Sequence, residues 1–320
     1  MKFGLQLHQE RGVEEVFEEA RLADAQGYDS IWLFDHLMDV TGKDGKDGPL
    51  DSFTLMTALG TLTKRTRLAW AMLNLGFRSP ALLAKMLATL DLISGGRVVA
   101  SVGAGWFEAE YKAYNIPLIE DHDGRVTYGR EVLDLMKQLW TQPAPHKVTY
   151  EGEYVQVRDL PFNPAPLQKP HPPIWVGGDS EETLKTVKQF ADGWVMLRSG
   201  TPEILSKVRS APDWPQREMT LVKNIRLYVG STHEEALADA EREYEMTASA
   251  AGAGREPSRE DFIGGAVLGT PDECLRQLAE MESWGINYAR LNYLVLANQE
   301  KVANLLSPRL SQISERASAT

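Results

Sequence analysis

Asp35 and His36 stand side by side directly after the apolar run Ile31-Trp32-Leu33-Phe34. An imidazole with an ordinary pKa of about 6.5 can exchange a proton at cellular pH, and a carboxylate partner fixes its tautomer. A satisfied structural histidine is the plain alternative; the position at the end of a buried apolar run favours the functional reading. A second such place is Gly177-Gly178-Asp179-Ser180, which follows Ile174-Trp175-Val176 and has Thr183 one turn further on. Ser180 sits where a helix N-cap is expected, and N–H groups with hydroxyls at a helix start form a ready anion site. The same residues also make a capping motif without any ligand, and Asp179 and Glu181 would repel an unaccompanied phosphate. The third place is Gly103-Ala104-Gly105. Its G-x-G is not a dinucleotide fingerprint, because Glu108 occupies the third glycine position. Two glycines let the backbone turn tightly, or let a flat ring lie where any Cβ would intrude.

The elements that must position these groups alternate regularly. Strand patterns are expected at 3–8, 30–34, 67–73, 97–102, 173–176, 193–197, 221–229 and 287–294. Helical patterns fall at 13–26, 52–63, 80–93, 107–114, 124–140, 181–190 and 233–250, with another opened by Thr270-Pro271 and a closing one ending near 316. Eight alternations argue for parallel strands with right-handed crossovers, and eight is the number that closes a ring. The fold class is therefore α/β, a (β/α)8 TIM barrel, with a doubly wound open sheet as the alternative. Sites of such barrels lie where strands end. Asp35, His36, His8, Asn74 and the 103–105 glycine turn all fall at that end, with His8 open to either a structural or a functional role. The stretch 141–172 interrupts the alternation with KVTYEGEYVQV, a hairpin pattern, and seven prolines. It reads as an insertion over one rim, which leaves 1–320 a single domain. The polar GKDGKDG at 42–48 reads as a loop.

Composition narrows the chemistry. The 320 residues are 43% hydrophobic and 25% charged with net charge −11, and no Lys/Arg cluster offers a nucleic-acid surface. No window reaches the roughly 18 to 20 apolar residues of a membrane span, and the N-terminus lacks a signal-peptide core. One cysteine, Cys274, excludes an internal disulfide and fits a reducing cytoplasm. There is no G-x-S-x-G, no P-loop and no H-E-x-x-H, and the histidines at 8, 36, 122, 146, 171 and 233 are scattered, so no metal is expected. A bound organic cofactor is the economical source of difficult chemistry.

GYDSIWLFDHL, FRSPALLAKMLATLDLISGGR, VGAGWFEAEYKAYNIP, YEGEYVQV and PHPPIWVGGDSEETLK, in this order, closely resemble the bacterial luciferase-like monooxygenase superfamily. The similarity runs over nearly the whole chain, weakest from 200 to 265, and looks most like the branch using the deazaflavin coenzyme F420. It implies a (β/α)8 barrel with an insertion after strand four, a homodimer and a small organic substrate. It assigns catalysis to His36, near the deazaflavin C5, where it would orient substrate or exchange a proton as hydride moves. Asp35 would fix its tautomer or touch the cofactor. A non-proline cis peptide near Ala71-Met72-Leu73 would buttress the ring, with Asn74, Gly103, Ala104 and Gly105 beside it. Gly177, Gly178, Asp179, Ser180 and Thr183 would hold the phosphate. Ala104 stands where FMN-dependent members carry an arginine, which favours F420 over the alternative, FMN. Trp106 replaces the glutamate, and Val40 a tryptophan, of the sugar-phosphate dehydrogenases, which disfavours glucose 6-phosphate. Trp106 and Phe107 suit an apolar or aromatic substrate, or packing. Three functions follow: F420-dependent hydride transfer, FMN-dependent monooxygenation, or a flavin-binding barrel without turnover.

Overall fold

The computed structural model describes residues 1–39, 48–197, 200–250, 258–292 and 296–306; Val40, most of GKDGKDG and the end of the closing helix lie outside them. Eight parallel strand positions form the frame: Lys2–Gln6, Ser30–Leu33, Arg67–Trp70, Ala100–Gly103, Ile174–Gly177, Gly193–Met196, Thr220–Ile225 and Tyr288–Leu291. The third is interrupted by a cis Ala71–Met72 peptide, where the resemblance places one, and resumes as Leu73–Asn74. Around the ring the order is three, two, one, eight, seven, six, five, four. Leu73–Asn74 pairs with Val102–Gly103 and Leu68 bridges Val98, so strand four returns to strand three and the barrel closes.

Alternation along the strands explains the two layers of core. Outward residues such as Leu5, Ile31, Leu33, Leu68 and Trp70 pack under the helices. Inward residues Trp32, Ala69, Val99, Trp175, Val195, Val222 and Tyr288 fill the barrel. Trp32, Trp175 and Tyr288 touch ring to ring, with centroids 5.6 Å and 5.1 Å apart along that series. Arg67, at the start of strand three, lies 5.0 Å over the Trp175 ring and pairs with Asp29. This aromatic plug fills part of the interior, and Phe34, Asp35, His36, Asn74 and Gly177 at the carboxyl ends of the strands line open space beyond it.

Several expectations change. The strand expected over 221–229 breaks after Ile225, and Leu227–Val229 pairs with Val267–Gly269 in a separate two-stranded parallel sheet. That sheet packs Tyr228 and Leu268 with Ala236, Ala240 and Phe262 beneath the helix His233–Ala250. Three-residue strands are too short to show a period, and the helices Pro202–Arg209 and Arg259–Gly264 were equally hidden. The insertion does contain the expected antiparallel hairpin, Lys147–Glu151 with Gln156–Pro161. Its turn residue Tyr154 lines a pocket with Gly76, Phe77, Arg78 and Ala104, just past the carboxyl ends of strands three and four. The Glu131 carboxylate accepts from the N–H groups of Glu153, Tyr154 and Val155, and Gln168 bonds Asp91 and the Val98 carbonyl near the start of strand four. Among the described residues no helix is long and apolar enough to cross a membrane, and no three ligating side chains cluster to hold a metal ion.

Candidate active site

The strand ends enclose a cavity of about 540 Å³. The structure brings into its wall every site residue expected from the sequence: Asp35, His36, Ala71, Met72, Asn74, Gly103, Ala104, Gly105, Gly177, Gly178, Asp179, Ser180 and Thr183. Phe34, Trp106, His122, Leu197 and Arg290 complete it. His8 is not in this wall; it is buried, with Nδ1 2.8 Å from Glu10.

His36 is held by a residue that sequence reading missed. Its Nδ1 lies 3.1 Å from both carboxylate oxygens of Glu110, in the short helix Glu108–Ala113. Glu110 is 1% exposed and also accepts from the N–H groups of Leu37 at 2.8 Å and Met38 at 3.3 Å. A carboxylate receiving these donors makes Nδ1 the donating nitrogen and leaves Nε2 as an acceptor. Trp106, 54% exposed, stands edge-on to the imidazole at 5.9 Å, at the mouth of the cavity rather than in a core.

Asp35 does not fix this tautomer. Its carboxylate accepts from Ser52 Oγ at 2.6 Å, the Asn74 N–H at 2.8 Å and both terminal nitrogens of Arg78 at 2.7 Å and 3.0 Å. Burial works against the Arg78 cation, but the Asp35 contacts outweigh it and raise its pKa. Asp35 thus ties the end of strand two to strand three and to the helix Ser52–Leu62. Asn74 is similarly engaged: its Oδ1 accepts from the Gly76 N–H and the Tyr111 hydroxyl. Burial pushes the Tyr111 phenol up to about 12, which keeps it a donor.

The glycine turn resolves in favour of backbone geometry at Gly105. Its φ is +78°, and an added Cβ would fall onto the Tyr111 hydroxyl and the Asn74 amide. Gly177 instead makes room for a side chain: a Cβ there would meet Met72 at 2.7 Å.

At the other end, Ser180 caps the helix Glu181–Phe190 by accepting from the Thr183 N–H at 3.1 Å. The Thr183 hydroxyl and His122 Nε2 lie 2.8 Å and 3.0 Å from Ser180 Oγ. Asp179 also stands in the wall, accepting from the Leu197 N–H at 3.2 Å. Two hydroxyls, an imidazole and a helix start thus converge where an anion would be stabilised. A phosphorylated flat ring fits this cavity: hydroxyls, an imidazole and a helix start gather at one end, and Phe34, Ala71, Met72, Trp106 and Leu197 give apolar surface along the rest, beside His36 and Arg290.

Glu110 and His122 lie far from His36 and Ser180 in sequence, so no spacing reveals them. Arg290 did carry a signal, a lone cation inside the apolar strand Tyr288–Leu291.

The family model described as luciferase-like monooxygenase matches residues 1–288. The chain is similar to an FMNH2-dependent dimethylsulfone monooxygenase of Pseudomonas putida, 35% identical over 159 residues, covering 50% of this chain and 42% of that protein. It is also similar to an F420-dependent glucose-6-phosphate dehydrogenase of Microbacterium testaceum, 30% identical over 210 residues, covering 65% of this chain and 60% of that one. These alignments span about half of each relative. The crystal structure of monooxygenase RslO1 from Streptomyces bottropensis superposes with a TM-score of 0.76 at 23% identity, covering 98% of this chain and 100% of that chain.

Proposed function

The chain belongs to the luciferase-like monooxygenase family, and from that premise we propose that it is an F420-dependent oxidoreductase moving a hydride to or from a small organic substrate. The observation that carries the reading is one cavity holding both His36, oriented by Glu110, and the Ser180–Thr183 helix start. When bound, the deazaflavin supplies or accepts the hydride at C5. Ser180, Thr183, His122 and the helix N–H groups would hold its phosphate, and Ala71, Met72 and Gly103 would line the ring.

The chain's own part is proton handling and positioning. With Nδ1 on Glu110, Nε2 of His36 takes the proton of a substrate hydroxyl as hydride leaves its carbon, or returns it to a carbonyl oxygen as hydride arrives. Glu110 stabilises the imidazolium that forms. Trp106 and Phe34 give the substrate an aromatic wall. We infer a cytoplasmic homodimer, and sedimentation of purified protein tests the assembly.

The rival is FMN-dependent monooxygenation, supported by the 35% identity to a protein described as FMNH2-dependent. Ala104, in place of the arginine of FMN-dependent members, supports F420. Titration with each cofactor, followed by fluorescence quenching, discriminates them: F420 binding is expected, and FMN binding without F420 would overturn the preference. A barrel that binds but does not turn over is the third reading. It would be favoured if His36→Ala left cofactor-dependent turnover unchanged.

A further inference from the structure

Arg290 is a buried cation with no partner of opposite charge among the described residues, and the proposed chemistry does not use it. It projects from strand eight into the cavity wall and is 4% exposed. A guanidinium has five N–H donors. Among the described residues, its hydrogen bond is one from Nη1 to Gln6 Oε1 at 2.7 Å, while Nε is buried with no acceptor. Gln6 is itself pinned, its amide donating to the Leu7 and Trp32 carbonyls, so it can present only an oxygen. The Trp32 ring lies 5.7 Å from the guanidinium carbon. The other arginines built into the barrel frame are answered: Arg67 by Asp29, Arg78 by Asp35, and Arg97 by carbonyls of Gly60, Thr63, Thr66 and Ser94. Two further buried amides at this end, Asn224 (the register partner of Arg290) and Asn292, also have side-chain oxygens without a donor.

An unpaired buried charge is costly and persists where a ligand neutralises it. We propose that Arg290 makes the inner part of the cavity a second anion site, which takes a delocalised oxyanion in addition to the phosphate held at Ser180. The planar fork suits a carboxylate or the anionic O–C–N edge of a reduced ring. These are two sources of one chemistry: an acidic substrate, or the cofactor once reduced. The inference rests on the cofactor reading only for its second source.

Benzoate, a carboxylate on an aromatic ring, is the probe for the first source. Its binding to wild-type protein without cofactor, and to Arg290→Met and Arg290→Lys, is measured by calorimetry; circular dichroism checks that each variant is folded. In parallel, the affinities of oxidised and reduced cofactor, F420 or FMN, are measured for the same proteins. A tenfold or greater loss of benzoate affinity in Arg290→Met, recovered in part by Arg290→Lys, supports the site with an acidic substrate as its occupant. A tenfold loss confined to the reduced cofactor supports it with the ring as occupant. If Arg290→Met binds benzoate and both cofactor forms as wild type does, or if wild type binds no benzoate and prefers neither cofactor form, the proposal is overturned. Failure of the cofactor reading is separate: neither cofactor binds wild type, whatever benzoate does.

Discussion

Glu110 decides which nitrogen of His36 faces the cavity, so the pair should fail in graded steps. His36→Ala removes the proton acceptor and is expected to lower kcat by roughly 10²–10⁴-fold. Glu110→Gln keeps the shape but stabilises the imidazolium less and no longer dictates the tautomer. A loss of about tenfold in kcat, with cofactor affinity within about threefold of wild type, is expected. An unchanged kcat would mean that Glu110 only braces the Leu37 and Met38 backbone. Gly105→Ala tests the turn apart from chemistry: with φ at +78° and Tyr111 in the way, a loss of about 1–3 kcal/mol is expected in urea unfolding. Sequence alone paired His36 with its neighbour Asp35 because they are adjacent. Adjacent residues of an extended chain point to opposite sides, so the working carboxylate had to come from another element. Ser180 and Thr183 were legible because a helix cap is local; Glu110, 74 residues from His36, was not.

Among elements, the carboxyl end of strand two is fastened by Asp35–Arg78, whose side chains are 1% and 12% exposed. Arg78→Met would leave the Asp35 carboxylate with Ser52 and one N–H. Removing one partner of a buried pair costs about 3–5 kcal/mol, measurable as a lower urea midpoint. Because His36 follows Asp35 directly, turnover should fall with it, whereas a merely peripheral ion pair would leave turnover intact. The helix beginning at Glu181 offers a separate test. Ser180→Ala removes its cap, worth about 1 kcal/mol, and should weaken the phosphate-bearing cofactor by roughly fivefold. Unaltered cofactor affinity would place the phosphate elsewhere. The barrel strands were legible because most carry a short, fully buried run, as Ser30–Leu33 and Gly193–Met196 do. The small sheet of Leu227–Val229 and Val267–Gly269 was not, since three residues carry no period and its pairing spans 40 positions (Leu227 with Val267).

For the whole molecule, the aromatic plug of Trp32, Trp175 and Tyr288 fills part of the interior with open space beyond it at the carboxyl side, and Arg290 sets the electrostatic cost of keeping that side open. Burial holds the Arg290 pKa below its ordinary value, down to about 10. A base depressed in this way costs stability at every pH below about 10 and is relieved only as pH rises from there toward 12.5. At neutral pH the penalty is therefore present in full. Arg290→Met should be neutral or stabilising, by up to about 3 kcal/mol in urea unfolding. Benzoate that raises the wild-type Tm should leave the variant's Tm unchanged, because only the native guanidinium gains a partner. A variant less stable than wild type, with benzoate raising both melting temperatures alike, would make Arg290 a structural strut of the barrel and remove the charge from the ligand's account.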